Sequence, residues 1–195
     1  MEQENTRFQI EQKPDQVLTK EGCAVNMWYS WQAWANVAIA VLLLAMGIYL
    51  LFNAAVWAPR GYGSLWKDSL FLIVFCLGFG VLFLVRLFMF PGSYARKYIK
   101  RLTVVCGDSA ALTITHFFGD DGMHSLLSNG GAVDTAYDQI LSVHETAHGI
   151  ILRRKMHMFD SLDKSKIQGG TLPEFRAFLQ EKMPKAEFHW KQDAE

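Results

Sequence analysis

No charged side chain stands between Glu21 and Arg60. Loops and surface helices in water need charge, so this gap excludes a solvent-facing segment there. Cysteine is scarce, with Cys23, Cys76 and Cys106 too few to form a disulfide framework, which fits a reducing compartment. Cys76 falls inside an apolar run, where it reads as a small apolar residue. Net charge is absent too, at 19 basic and 19 acidic residues, and no basic stripe exists on which nucleic-acid binding could rest. The first 26 residues are polar and mildly acidic, unlike a cleavable leader, so the first apolar run is expected to act as the insertion signal.

What the chain has instead is two long apolar runs. Residues 33–57 (AWANVAIAVLLLAMGIYLLFNAAVW) carry no charge and suffice, at about 1.5 Å per residue, to cross a hydrocarbon layer of about 30 Å. Residues 69–90 (SLFLIVFCLGFGVLFLVRLFMF) are interrupted only by Arg86, near their end, where a long side chain snorkels to the headgroups. The linker APRGYGSLWKD is too short for a domain, so an antiparallel transmembrane hairpin is expected, with both termini on one side. Trp28, Trp31, Trp34, Trp57, Tyr62 and Trp66 cluster near the expected boundaries, as interfacial rings do. Arg96, Lys97, Lys100 and Arg101 follow the second run, against Arg60 and Lys67 in the linker, which places the termini in the cytoplasm. The same four residues are the candidate contacts with an anionic bilayer surface.

The remaining sequence reads as a small β domain. Phe8 and Ile10 alternate in RFQIE and mark a strand able to join a sheet formed beyond the hairpin; residues 17–31 are a candidate lead-in helix. LTVVC at 102–106 and AALTITHFF at 110–118 are β-branched and aromatic, and read as strands. Gly119-Asp120-Asp121-Gly122 and Asn129-Gly130-Gly131 read as turns around a strand at 123–127, followed by one at 132–137. The acidic pair lacks the further ligands of a calcium loop. Thr171-Leu172-Pro173-Glu174 is a capping box opening a helix whose apolar face is Leu172, Phe175, Phe178, Leu179 and Met183.

The sharpest motif is His144-Glu145-Thr146-Ala147-His148, the HExxH pattern of zinc peptidases. On a helix, His144 and His148 would ligate one zinc and Glu145 would polarise the attacking water. On a strand the two Cα atoms stand about 13 Å apart and share no ion. For a helix speak Asp134 as N-cap, the spacing of Ile140, Val143, Ala147 and Ile151, and Gly149 as a stop. For strands speak YDQILSV at 137–143 and Ile150-Ile151-Leu152 before Arg153-Arg154-Lys155. Six His and nine Glu produce HExxH by chance in roughly one such chain per hundred. Third-ligand candidates, His157, Asp160, Asp163 and Glu174, sit in no recognisable ligand helix, and Glu174 is explained by the capping box. His116, His124 and His157 fall in expected strands and read as core or surface histidines. Arg153-Arg154-Lys155 reads as a solvated strand end, with an anionic headgroup as the competing partner. The aromatics of Glu187-Phe188-His189-Trp190 are candidate interface contacts.

In order, Phe117 to Asp121, AYDQILSVHET at 136–146, GIILRRK at 149–155 and SLDKSKIQGGTLPEFRAFLQEKM at 161–183 resemble the YcxB-like family. The letter-by-letter likeness is confined to 137–146 and 162–183, while the plan of strand, paired spans and C-terminal domain covers the chain. The resemblance implies a pleckstrin-homology-like β domain closed by its last helix, no known enzymatic activity, and Glu145-Thr146 in or at the end of a strand. The chain departs from the family in its histidines at 144 and 148 and in a glycine-containing insertion around 128–132.

The expected fold is an α+β membrane protein: a lead-in segment at 1–32, a hairpin at 33–90, a cytoplasmic β domain at 102–185 and a tail at 186–195. The expected role is a non-enzymatic interaction or regulatory module at the cell membrane, with no cofactor. Its partners are the bilayer and either another membrane protein or lipid headgroups. The rival is a membrane-anchored zinc endopeptidase.

Overall fold

The computed structural model describes residues 6–57, 63–106 and 112–191. In chain order its elements begin with β1 (Phe8–Gln12), α1 (Gln16–Trp28), α2 (Trp31–Trp57) and α3 (Gly63–Cys106). They continue with β2 (Ile114–Phe118), β3 (Gly122–Leu127), β4 (Ala132–Ala136), β5 (Ile140–Glu145) and β6 (Gly149–Arg154). The last are β7 (Phe159–Asp163), β8 (Ile167–Gln168), α4 (Leu172–Lys182) and β9 (Glu187–His189). The chain is thus α+β, with two long apolar helices and two sheets. It divides into a helical unit, residues 28–91, and a β unit formed by the described residues up to Met27 and from Gly92 onward.

Alternation explains the β unit. Phe8, Ile10 and Gln12 are buried on one face of β1, which pairs antiparallel with β2 (Ile10 opposite His116) and with β8 (Gln9 opposite Gln168). The resulting five-stranded sheet runs β4-β3-β2-β1-β8, so the N-terminal strand is interior. The second sheet, β7-β6-β5-β9, is mixed, because β9 lies parallel to β5 with Val143 opposite Phe188. Phe118, Met123, Val143, Ile150, Leu152 and Leu162 meet the apolar face of α4 in one core. Within it the Phe8 ring lies 5.1 Å from both Phe175 and Phe178, each such ring contributing about 1.5–3 kcal/mol by burial.

Local chemistry starts and places α4. Thr171 Oγ1 accepts from Glu174 N–H while Glu174 Oε2 accepts from Thr171 N–H at 2.6 Å, with Pro173 in the first turn. At the other end α1 begins with Asp15 Oδ2 accepting from Leu18 N–H at 2.9 Å. It approaches the second sheet closely where Gly22 faces the Phe159 ring and Leu18 faces Gly149.

In the helical unit, Ala33, Ala40 and Gly47 recur at seven-residue intervals along α2. A Cβ on Gly47 would meet Leu77, and one on Gly80 would meet Leu44, at 2.6 and 2.7 Å. Contact positions fall along α3 as they rise along α2, so the pair is antiparallel, and its seam of Ala40, Ile73 and Cys76 is buried. The other faces are bare: Phe71 is 77% and Phe88 74% exposed.

Several expectations need correction. LTVVC at 102–106 is helical, not a strand: α3 runs on through Pro91 to Cys106, the continuing helix overriding β-branched preference. The second run therefore does not end its helix at Phe90. Residues 137–139 form a 3-10 turn, so β5 starts at Ile140, and Lys155–His157 is a 3-10 turn, which removes His157 from any strand. The start of the expected 110–118 strand and the linker at 58–62 lie outside the described residues, as do the side chains of Trp57, Trp66 and Lys67. The strand at Phe8–Gln12, the turns at 119–122 and 129–131, the lead-in helix and the capped last helix are present.

Candidate functional site

The HExxH residues do not lie on a helix. Ile140–Glu145 is strand, and the chain reverses at 146–149, where Thr146 N–H donates to Gly149 O at 2.8 Å before β6 returns. This also corrects the expected single extended segment, because the reversal sits between the histidines and the 13 Å spacing along a strand does not describe them. Each side chain has its own partners. The His144 ring stacks on His189 at 4.4 Å and its Nε2 lies 2.9 Å from Ser142 Oγ. Burial, with help from His189 and Arg153 and against Glu187, holds its pKa down to about 4, so the ring is neutral near pH 7.

The Glu145 side chain, 1% exposed, places Oε2 2.6 Å from Arg176 Nη2 and Oε1 3.3 Å from Lys164 Nζ. His148 Nδ1 lies 2.7 Å from Glu21 Oε1, and Glu21 Oε2 accepts from Thr146 Oγ1 at 2.6 Å. Burial pushes the Glu21 carboxyl up, but the hydrogen bonds from Thr146 and His148 outweigh it and leave the pKa below its ordinary value. Among the described residues no three His, Cys, Asp or Glu side chains are grouped to hold a metal ion. Of the third-ligand candidates, Asp163 accepts from Ser165, Glu174 caps α4 and Asp160 is held by Arg154.

A second locus was only half visible in sequence. Where β1 ends and α1 begins, a cleft of about 360 Å³ opens in the β unit. Its floor is polar: Gln12, His116, Arg154 and Asp160. Its walls are Tyr94 and Tyr98 of α3 with Leu18, Ile114 and Phe159, and its mouth carries exposed Lys13, Asp15 and Met158.

The floor is held by a chain of hydrogen bonds whose directions can be worked out. Asp163 N–H must find an oxygen, so Gln12 Oε1 accepts it at 2.7 Å and Nε2 faces the other way, donating to Ser161 O at 2.5 Å. That nitrogen also lies 3.4 Å from His116 Nε2, which must therefore accept, leaving Nδ1 to donate to Ser125 Oγ at 2.8 Å. His116 is 5% exposed, and burial together with the nearby Arg154 lowers its pKa to about 4. Arg154 Nη2 donates to Asp160 Oδ1 at 3.1 Å, Nε stands 2.8 Å from Oδ2, and Nη1 donates to Thr135 Oγ1 at 2.8 Å. Burial raises the Asp160 pKa, and Arg154 works against that rise.

Arg154 thus departs from the expected solvated strand end: it turns into the cleft, while Arg153 Nε donates to Ser142 Oγ at 2.9 Å. Gln12 gave no signal beyond being the third alternating position of its strand, and Asp160 drew notice only as a metal ligand. Arg96, Lys97, Lys100 and Arg101 all lie exposed on α3. Phe188 and Trp190 stack on each other at 5.4 Å and pack, partly buried, against the core.

The geometry defines an α+β chain with an apolar helix pair and a two-sheet unit bearing a polar cleft. No family model, curated protein or solved structure matches it.

Proposed function

We propose that this chain is a membrane-anchored, non-enzymatic YcxB-like protein, whose pleckstrin-homology-like β unit acts as an interaction or regulatory module at the cytoplasmic membrane surface. The observation that carries the reading is the apolar exterior of the helical unit. Two helices long and apolar enough to cross a bilayer, Trp31–Val56 and Ser69–Arg101, leave most of their apolar side chains uncovered. Hydrocarbon is the solvent that such a surface suits. The exposed cations Arg96, Lys97, Lys100 and Arg101 favour a cytoplasmic β unit. Two sheets closed by a C-terminal helix favour the pleckstrin-homology-like reading. Anchoring would raise the unit's effective concentration toward another membrane protein or a lipid headgroup.

The non-enzymatic part is supported by the engagement of both Glu145 carboxylate oxygens with cations, Lys164 and Arg176, in place of an attacking water. Membranes from expressing cells, washed in alkaline carbonate, should retain the protein. A C-terminal tag should resist protease added outside intact spheroplasts. Release into the wash, or loss of the tag, refutes the placement. Stoichiometric zinc that disappears in His148→Ala would revive the peptidase.

A further inference from the structure

The cleft of about 360 Å³ falls within the size range of small-molecule sites. Apolar packing alone would fill such a space more cheaply than a desolvated ion pair, so the Arg154–Asp160 floor calls for a reason beyond stability. Its charge is already balanced. Arg154 faces Asp160, His116 accepts and donates as a neutral ring, and the mouth brings one charge of each sign, Lys13 and Asp15. An entering anion would meet the Asp160 carboxylate and an entering cation the Arg154 guanidinium, each at close range in a partly desolvated space.

A neutral group meets neither penalty. Of the five N–H donors on Arg154, three face Asp160 or Thr135, and one on each terminal nitrogen has no protein acceptor among the described residues. Asp160 supplies acceptor lone pairs beside them. Tyr94, Tyr98 and Phe159 line the cleft with three aromatic rings, a surface suited to a flat body. We propose that this cleft is a binding site for an uncharged, flat small molecule whose amide-type edge presents a donor and an acceptor side by side. All of its lining residues belong to the β unit.

Benzamide, benzoate and benzylamine share a ring and differ in charge, and so make a direct test. Saturation-transfer NMR on the full chain in lipid nanodiscs at neutral pH should show saturable binding of benzamide, with the two ions weaker by about tenfold. Arg154→Met combined with Asp160→Leu removes the ion pair from the floor without stranding a charge, and should weaken benzamide about tenfold or more. If that variant fails to fold, Tyr98→Ala, which removes an exposed wall, should weaken it about fivefold. Equal or tighter binding of benzoate or benzylamine overturns the proposal. So does absence of saturable benzamide binding, or a benzamide signal unchanged in the variants, which would mark partition into lipid.

Discussion

Glu145 Oε2 stands 2.6 Å from Arg176 Nη2, joining the end of β5 to the second turn of α4 inside the protein. Arg176 in turn lies over the Trp190 ring at 5.7 Å, so one carboxylate anchors the helix and orders the residue following β9. Glu145→Ala takes this carboxylate from both Arg176 and Lys164 and should lower stability by about 3 kcal/mol in denaturant unfolding. An intact midpoint would remove this residue from the frame of the fold.

Glu21 links α1 to the turn between β5 and β6, and its folded pKa lies below the ordinary 4.5. A depressed carboxyl contributes stability above its unfolded pKa and loses it as pH falls through the folded value. Glu21→Gln should therefore melt earlier than the parent at pH 7, by about 1 kcal/mol for a partly exposed pair. The gap should narrow as the pH falls below the ordinary value of 4.5 and through the lower folded one. A gap that stays constant with pH would show that the charge is immaterial.

Gly149 opens β6 where a Cβ would run into the Leu162 carbonyl and a Leu18 methyl. A backbone oxygen in a sheet cannot step aside. Gly149→Ala should cost about 2 kcal/mol and loosen α1, seen as faster amide exchange in residues 16–28.

Thr171 is an exposed cap with a measurable part. Thr171→Ala should lower stability by about 1 kcal/mol, and Thr171→Ser should recover most of it. Identical melting of all three proteins would show that α4 is held by its phenylalanines alone.

Where two elements dictated each other locally, they could be read from the chain. Phe8 and Ile10 announced β1 by alternation, and Thr171 with Glu174 announced α4 by spacing. The apolar runs announced α2 and the first part of α3. LTVVC misled because β preference is a statement about packing on a sheet, whereas these residues continue a helix already under way. β9 escaped notice because three residues carry no periodicity, and its parallel pairing with β5 is a long-range choice. The cleft was hidden for a similar reason. Gln12, His116, Arg154 and Asp160 come from four strands, and nothing near any one of them names the other three.

β1 lies between β2 and β8, so Gln9 has to wait for Gln168 before its second edge is matched. During translation β1 is made before both apolar helices, and its pairing with β8 waits until residue 168 has been added. Until then β1 is a strand without its second neighbour, and a separately supplied peptide bearing residues 6–12 should compete for its place between β2 and β8.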